Sequence, residues 1–422
     1  MSTALLKLRT RASSSFEKSA LLVLAILVIA SASTVSVVIS ESPSCITYDP
    51  SNVVITVSCK TANLRDINSQ LNDPNILHQE SLDGIWQLNA GIFVDKDATL
   101  YINSSDLSWL KILTKQGVEK YNKTNYIEVH GSLKIDSVKI SSWDRSENDY
   151  STNPGSRDLS ENYVKIGTPR PYISVESGAT GTTDITNSEL AYLGYEGGVG
   201  IGADDGLTYF GGEGSVIKNN NIHHLYFGFY SNGVGNITIE NNTIHHNAHY
   251  GLDPHTGTHD MVIRNNVVHD NGGIGIICSL NCYNIIIENN KTYNNTKMGI
   301  MFSRNMYDSV ARNNIVAREE KGIVISESHN NQIYNNHVLD SGRGIDLDKE
   351  SYSNVIYNNT FRNIPVPSDA LYIEDGAAEK NILHFTKVSQ SFQQIKSVNG
   401  EQNNTRSTFV TQTPQESSDP FS

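Results

Sequence analysis

The stretch ITIENNTIHHNAHYGLDPHTGTHDMVIRNN, residues 237–266, contains one short pattern twice. An isoleucine followed two positions later by an Asn-Asn pair occurs near its start and again at its end. The two pairs begin at Asn241 and Asn265 and are therefore 24 residues apart. A repeat of this length is typical of a solenoid, in which each unit buries its apolar face by stacking on its neighbours.

The repeat continues in both directions along the chain. Asn-Asn pairs begin at Asn219, Asn241, Asn265, Asn289, Asn313, Asn335 and Asn358, in steps of 22, 24, 24, 24, 22 and 23 residues. A glycine column with similar spacing consists of Gly228, Gly251, Gly275, Gly299, Gly322 and Gly344. The segments before the asparagines alternate apolar and polar residues, which indicates short β-strands. We expect an all-β chain folded as a right-handed parallel β-helix with coils of 22–24 residues. A leucine-rich-repeat solenoid has a similar period but requires a leucine column, which the sequence lacks.

The two columns predict how coils stack. Equivalent residues of neighbouring coils lie about 4.8 Å apart, so we expect the asparagines to form hydrogen-bonded ladders. Glycine has no Cβ, and we expect the glycine column to provide tight turn conformations.

The chain divides into four predicted segments. Residues 1–40 join basic residues to an apolar run and predict a secretory signal peptide or an N-terminal membrane anchor. Residues 41–79 are the expected cap, residues 80–388 the expected β-helix, and residues 389–422 a polar tail predicted to be disordered. Both interpretations of the N-terminus predict a secreted or extracellular protein.

The cysteines and sequons fit that location. Cys45 and Cys59 flank a predicted hairpin, and Cys278 and Cys282 are close enough for a loop disulfide. We therefore treat both pairs as candidate disulfides, with free buried thiols as the alternative. Asn-x-Thr sequons, which permit glycosylation, occur at Asn236, Asn241 and Asn358.

The formal net charge of −13 argues against nucleic acid as a partner. An anionic ligand would need locally gathered cations. We expect a monomer.

One segment departs from the repeat. HYGLDPH, residues 249–255, stands where other coils have IGIICS, MGIMFS or KGIVIS. A local departure from a strong repeat is where function is expected. Pro254 also fixes the backbone between Asp253 and His255, which would hold both side chains in reproducible positions.

The motif Tyr250-Gly251-x-Asp253-Pro254-His255, followed by further Asn-Asn coils, resembles the catalytic core of the mannuronan C5-epimerases. These secreted or periplasmic β-helix enzymes convert D-mannuronate into L-guluronate within an alginate polymer. The resemblance is specific at this motif and general over residues 80–388. It implies acid/base proton exchange at C5 of a polyuronate, with no cofactor required.

The resemblance also implies residue roles. C5 inversion needs a base on one face of the sugar and an acid on the other. His255 is the preferred base and Tyr250 the proton donor, although the two roles could be exchanged, and His249 is a second base candidate. Asp253 would orient His255 and favour its imidazolium form.

Cations must neutralise the substrate carboxylate. Lys297 stands where relatives carry a basic residue, Arg304 follows in the same coil, and Lys218 is a weaker candidate from a preceding coil. Relatives have a further aspartate one coil after the motif, where this sequence has Ser279.

Three alternatives stay open. A polysaccharide lyase would use the same proton removal followed by β-elimination, and a non-catalytic envelope protein would only bind glycans. A glycosidase needs two facing carboxylates, and Asp253 has no obvious partner. Whether a metal binds is unknown: the acidic turns at residues 202–206 and 346–350 are candidate calcium sites, although neither matches an EF-hand loop.

Overall fold

The computed structural model describes residues 44–80, 83–115, 124–153, 156–158, 164–166, 169–196, 204–348, 350–384 and 387–389. The predicted signal or anchor at residues 1–40 lies outside the described residues, as does the predicted tail after residue 389. Within the described ranges, no helix is long and apolar enough to span a bilayer.

Three long sheets, here named sheet 1, sheet 2 and sheet 3, form the walls of the molecule. Sheet 1 contains β1 (Ile46–Asp49), β2 (Val54–Val57), β6 (Gly91–Val94), β9 (Tyr126–Val129), β14 (Tyr172–Val175), β17 (Gly206–Tyr209), β20 (Phe227–Asn232), β23 (Leu252–His255), β26 (Ile276–Ser279), β29 (Met298–Ser303), β32 (Lys321–Ser326), β35 (Arg343–Leu347) and β38 (Leu371–Ile373). Sheet 2 contains β3 (Ala62–Asn63), β7 (Thr99–Asn103), β10 (Ser132–Asp136), β15 (Thr183–Thr186), β18 (Val216–Lys218), β21 (Thr238–Glu240), β24 (Val262–Arg264), β27 (Ile286–Glu288), β30 (Val310–Arg312), β33 (Gln332–Tyr334), β36 (Val355–Tyr357) and β39 (Ile382–His384). Sheet 3 contains β4 (Leu77–Gln79), β5 (Ile85–Leu88), β8 (Trp109–Leu113), β11 (Lys139–Trp143), β16 (Glu189–Ala191), β19 (Asn221–His223), β22 (Thr243–His245), β25 (Val267–His269), β28 (Lys291–Tyr293), β31 (Ile315–Ala317), β34 (His337–Leu339), β37 (Thr360–Arg362) and β40 (Lys387–Ser389).

The remaining elements are few. They are helix α1 (Leu64–Leu71), the 3-10 helices Pro367–Ala370 and Ala378–Lys380, and a separate antiparallel pair of β12 (Ser156–Asp158) and β13 (Val164–Ile166).

Each coil passes through sheets 1, 2 and 3 in turn, and its strands pair in parallel with the equivalent strands of the next coil. The exceptions within these sheets are the antiparallel pairs β1–β2 and β4–β5 near the N-terminal end. Connections between parallel strands are right-handed in nearly all proteins. The predicted fold is confirmed: the chain is a right-handed parallel β-helix. Its core is a continuous apolar column lined by one inward residue after another, such as Ile239, Ile263 and Ile287.

The first coil begins within the segment expected to form the cap. Strands β2 and β3 already pair in parallel with β6 and β7. Between β3 and β4, α1 starts with a capping box in which Asn63 and Asp66 satisfy each other's backbone amides, and it buries Leu64 and Ile67. The predicted Cys45–Cys59 disulfide is confirmed and closes the β1–β2 hairpin.

The asparagine pairs divide two tasks between them. The first member of each pair is left-handed, as at Asn265 with φ 56°. The second member is buried and forms the predicted ladder. Asn266 accepts from the backbone and side-chain nitrogens of Asn242, and it donates to Ile239 O and to Asn290 Oδ1 over 2.9–3.0 Å. The ladder therefore satisfies backbone groups at every turn.

The predicted role of the glycine column is wrong. The left-handed turns belong to the asparagines, whereas the column glycines lie where coils approach most closely. A Cβ at Gly251 would stand 2.6 Å from Gly275 O and 2.5 Å from a Val268 methyl. These glycines are needed because the interior has no room for a side chain.

The second predicted disulfide is also wrong. Cys278 and Cys282 are free thiols buried in the core. The Cys282 Sγ lies 3.1 Å from Ser279 O and 3.5 Å from Pro254 O, so it donates to backbone carbonyls. Burial raises the pKa of the Cys282 thiol to about 12.

Candidate functional site

The last four residues of the HYGLDPH segment form β23, which places two polar side chains on the outer face of sheet 1. Leu252 belongs to the core, and alternation along the strand turns Asp253 and His255 outward. Register aligns Asp253 with Tyr230 on one side and His255 with Ser279 on the other. The sequence thus builds one polar patch across neighbouring coils.

His255 is held at both ring nitrogens. Arg304 Nη2 lies 3.0 Å from Nε2, and Thr256 Oγ1 lies 2.6 Å from Nδ1. Since a guanidinium can only donate, Nε2 is the acceptor and Nδ1 carries the proton. Burial and the Arg304 charge lower the pKa of His255 to about 4, so the imidazole is neutral near pH 7.

Asp253 does not have its predicted role. The sequence predicts that Asp253 orients His255 and favours its imidazolium form. Thr256 and Arg304 orient the ring instead, and the pKa is lowered. Asp253 and Tyr230 share one column of the sheet, whereas His255 is paired with Asn232 in another column.

The Asp253 carboxyl group is nearly inaccessible, with 4% of the residue exposed. No group among the described residues hydrogen-bonds to its Oδ1. Burial raises its pKa well above the ordinary value, although the Arg304 charge opposes the shift. A buried carboxyl of this kind favours its neutral form, which can donate a hydrogen bond.

Arg304 connects several parts of the patch. Its Nε and Nη2 donate to Ser279 Oγ over 2.9 and 2.6 Å while Nη2 also reaches His255. Ser279 thus anchors the arginine. Arg304 adopts a left-handed conformation with φ 51° immediately after β29, and its side chain reaches back to Ser279 in the preceding coil.

Tyr250 and His249 lie at the edge of the same face. Their ring centroids are 3.9 Å apart, and Phe227 stacks on His249 at 5.1 Å. Burial and then the Asp253 charge raise the pKa of the Tyr250 phenol, while Arg304 lowers it. Burial and then Lys297 lower the pKa of His249. The charges that act on the two groups therefore differ: Asp253 and Arg304 act on Tyr250, and Lys297 acts on His249.

Two residues that contribute to the site, Tyr230 and Gly273, were not identified from the sequence. Tyr230 is buried, its ring centroid lies 5.7 Å from that of His255, and burial raises the pKa of its phenol. Gly273 makes room for Tyr250, because a Cβ there would lie 2.8 Å from two ring carbons. Register one coil before Asp253 was a signal for Tyr230, but the sequence carried no signal for Gly273.

The remaining predicted residues lie elsewhere. Lys218 is on sheet 2, where it pairs with Glu240 at 2.7 Å, so the structure does not bring it together with the sheet 1 patch. Of the candidate calcium turns, residues 202–203 and 349 lie outside the described residues, and Asp346 pairs with Lys321 and Arg343. In the described ranges, no group of three or more His, Cys, Asp and Glu is arranged to hold a metal ion.

Several known proteins are similar to this chain. A family model described as "Periplasmic copper-binding protein (NosD)" matches residues 179–370, which is less than half of the chain. The crystal structure of the periplasmic alginate epimerase AlgG is similar, with 21% identity, a TM-score of 0.64 and 80% of each chain covered. The A-module of the mannuronan C-5 epimerase AlgE6 from Azotobacter vinelandii matches with 14% identity and a TM-score of 0.46 over 78% of this chain and 92% of its own. No curated protein sequence matches the chain.

The class defined by the fold is therefore the parallel β-helix proteins. The solved structures to which this chain is similar include alginate epimerases, in agreement with the predicted resemblance. At this level of identity, the likeness to AlgG shows the common fold.

Proposed function

We propose that this protein is a mannuronan C5-epimerase-like isomerase that inverts C5 of uronate residues within an alginate-like polysaccharide. One observation carries the proposal: Arg304 contacts a neutral imidazole, His255, on the face that also holds a neutral-favouring Asp253 and the Tyr250 phenol. A base, an acid and a compensating cation are the groups that the reaction needs.

Arg304 also controls the base. In the free protein its Nη2 occupies the Nε2 lone pair of His255. A substrate carboxylate is a stronger acceptor for a guanidinium than an imidazole is, because both partners are then charged. Binding of the uronate carboxylate therefore draws Arg304 away and frees Nε2. The neutral Asp253 carboxyl donates a second hydrogen bond to the same carboxylate.

Proton exchange follows from this arrangement. His255 Nε2 takes the C5 proton, and the electron pair left on C5 delocalises into the carboxylate held by Arg304. The Tyr250 phenol delivers a proton to the opposite face of C5, which inverts the centre. The imidazolium and the tyrosinate then exchange protons with water to restore the starting state. His249 is the alternative base.

The proposed location is outside the cytoplasm. The Cys45–Cys59 disulfide supports it, because such bonds persist in oxidising compartments. The predicted signal or anchor at residues 1–40 agrees with it.

Proton NMR of polymannuronate incubated with the purified protein in deuterated water tests the proposal. We expect guluronate signals with deuterium at C5 and unchanged chain length. Unsaturated, ultraviolet-absorbing ends would instead identify a lyase. A polymer that stays unaltered would contradict both reactions and leave non-catalytic glycan binding as the function.

Variants assign the exchange to this site. His255→Gln and Tyr250→Phe should each lower the rate about 10²–10⁴-fold, as expected for loss of an acid or base. His245→Gln is the matched control, since His245 lies in a stacked row between His223 and His269 on sheet 3. Equal losses in all three variants would contradict the assignment.

A further inference from the structure

The outer face of sheet 1 carries a second buried carboxylate in the same column as Asp253. In consecutive coils this column consists of Tyr230, Asp253, Ile277, Met301, Val324, Asp346 and Tyr372. A tyrosine next to an aspartate thus stands at each end, with three apolar residues between. Four steps of about 4.8 Å separate the two aspartates, or about 19 Å.

Asp346 has cations but keeps one oxygen unpaired. The residue is 0% exposed, and both Lys321 Nζ, at 2.7 Å, and Arg343 Nη1, at 2.8 Å, contact its Oδ2. Its Oδ1 is buried without a hydrogen-bond partner among the described residues. Tyr372 supports the arrangement, because the Arg343 guanidinium lies 3.8 Å from its ring centroid.

A carboxylate on sheet 2 shows what a purely structural cluster looks like. Glu240 also lies between a lysine and an arginine, but Lys218 contacts its Oε1 and Arg264 contacts its Oε2. Both oxygens are therefore satisfied. At Asp346 the two cations gather on one oxygen, and a buried acceptor without a partner has an energetic cost unless a ligand supplies the donor.

We propose that Lys321, Arg343 and Asp346 form a distal subsite that binds one uronate residue of the polysaccharide chain whose C5 is inverted near His255. Lys321 and Arg343, whose side chains are 25% and 31% exposed, bind the sugar carboxylate. A sugar hydroxyl donates to Asp346 Oδ1. This inference deepens the proposed function and rests on it for the identity of the ligand.

The column between the two aspartates is apolar and consists of Ile277, Met301 and Val324. Ile277 and Val324 are buried, so of these three Met301 is the one that offers apolar surface to an intervening sugar. One coil per step is comparable with the length of one pyranose in an extended chain. The distal subsite therefore acts on chains that span about four coils and not on shorter ones.

Binding measurements test the subsite separately from the reaction. Dissociation constants of Lys321→Gln and Arg343→Gln are measured by calorimetry with polymannuronate and with a mannuronate trimer. Each variant leaves Asp346 one cation, so both are expected to fold, and if one fails the other carries the test. Lys218→Gln and Arg264→Gln at Glu240 are matched controls with the same charge change on sheet 2.

We expect each sheet 1 variant to weaken polymannuronate binding about 10-fold, the value for one lost charged hydrogen bond, and to leave trimer binding unchanged. The controls should bind both ligands like the unaltered protein. Sheet 1 variants that behave like the controls, or that weaken trimer binding equally, would overturn the subsite. If polymer binding depends on Lys321 and Arg343 but deuterium never enters C5, the proposed reaction fails and the subsite stands.

Discussion

Arg304 Nη2 and His255 Nε2 lie 3.0 Å apart, although 49 residues separate them in the chain. Stacking of coils creates this contact, and the contact fixes the tautomer of the imidazole. Burial lowers the pKa of His255 most, and the charge of the same guanidinium lowers it further, so the cation that would bind substrate also helps to keep the base unprotonated.

Removal of the Arg304 charge should move the acid limb of the pH profile. The base works only when neutral, so kcat/KM should fall as the pH drops through about 4, the pKa of His255. In Arg304→Gln the pKa should rise towards its ordinary value of 6.5, and the limb should move to higher pH. The measurement is kcat/KM of both proteins between pH 3 and 8. The result is the pH at which the acid limb falls, and not the lower rate that Arg304→Gln is expected to show at every pH. Arg264→Gln on sheet 2 is the control, and an unmoved limb in Arg304→Gln would show that Arg304 does not influence the base.

Asp253→Asn should stabilise the protein at neutral pH. The folded-state pKa of Asp253 lies above its ordinary value of 3.8, so the folded state holds a proton that the unfolded chain releases. That group therefore contributes less to stability as the pH rises above about 4. Asparagine resembles the neutral acid and has no such dependence. We expect an increase in Tm of about 2–4 °C or more at pH 7.5, with little change at pH 4. A lower Tm for Asp253→Asn at pH 7.5 would mean that the carboxylate is ionised and paired in the folded protein.

The two asparagines of one pair should differ in their importance for stability. Asn266→Ala removes an acceptor for the Asn242 backbone nitrogen and a donor for Ile239 O, both buried. It should cost about 3 kcal/mol of unfolding free energy. Asn265→Ala only strains a left-handed residue and should cost about 1 kcal/mol. Urea denaturation of both variants measures the difference, and similar losses would argue that the ladder has no special weight.

Gly273→Ala should impair catalysis through Tyr250. The new methyl group would meet two ring carbons of Tyr250 at 2.8 Å and displace the ring. We expect the rate of C5 exchange to fall about 10²-fold, the effect of a displacement of about 1 Å at a reacting group, with little change in Tm. The control is the double variant with Tyr250→Phe. If Gly273 acts through the phenol, the alanine should add little to the loss that Tyr250→Phe alone produces.

The repeat predicted the architecture well because a solenoid is specified locally. Each coil repeats the same alternation, and the second asparagine of every pair, such as Asn266, has only its neighbours in adjacent coils to satisfy. The Cys45–Cys59 pair was also readable, since its hairpin is local. Gly251 was predicted to make a turn, because sequence alone does not distinguish a glycine needed for its backbone freedom from one needed for lack of a side chain.

The candidate site also has features that the sequence predicted and features that it did not. From the sequence alone came the fold and the cluster of Tyr250, Asp253 and His255, because both depend on the repeat and on a local departure from it within a single coil. Only the tertiary structure decided that Arg304 and Thr256 hold the imidazole, that Asp253 is buried with an unpaired oxygen, and that Lys218 lies on another wall. Those features depend on which side chains of different coils meet and on how deeply they are removed from water, and both are properties of the stacked coils.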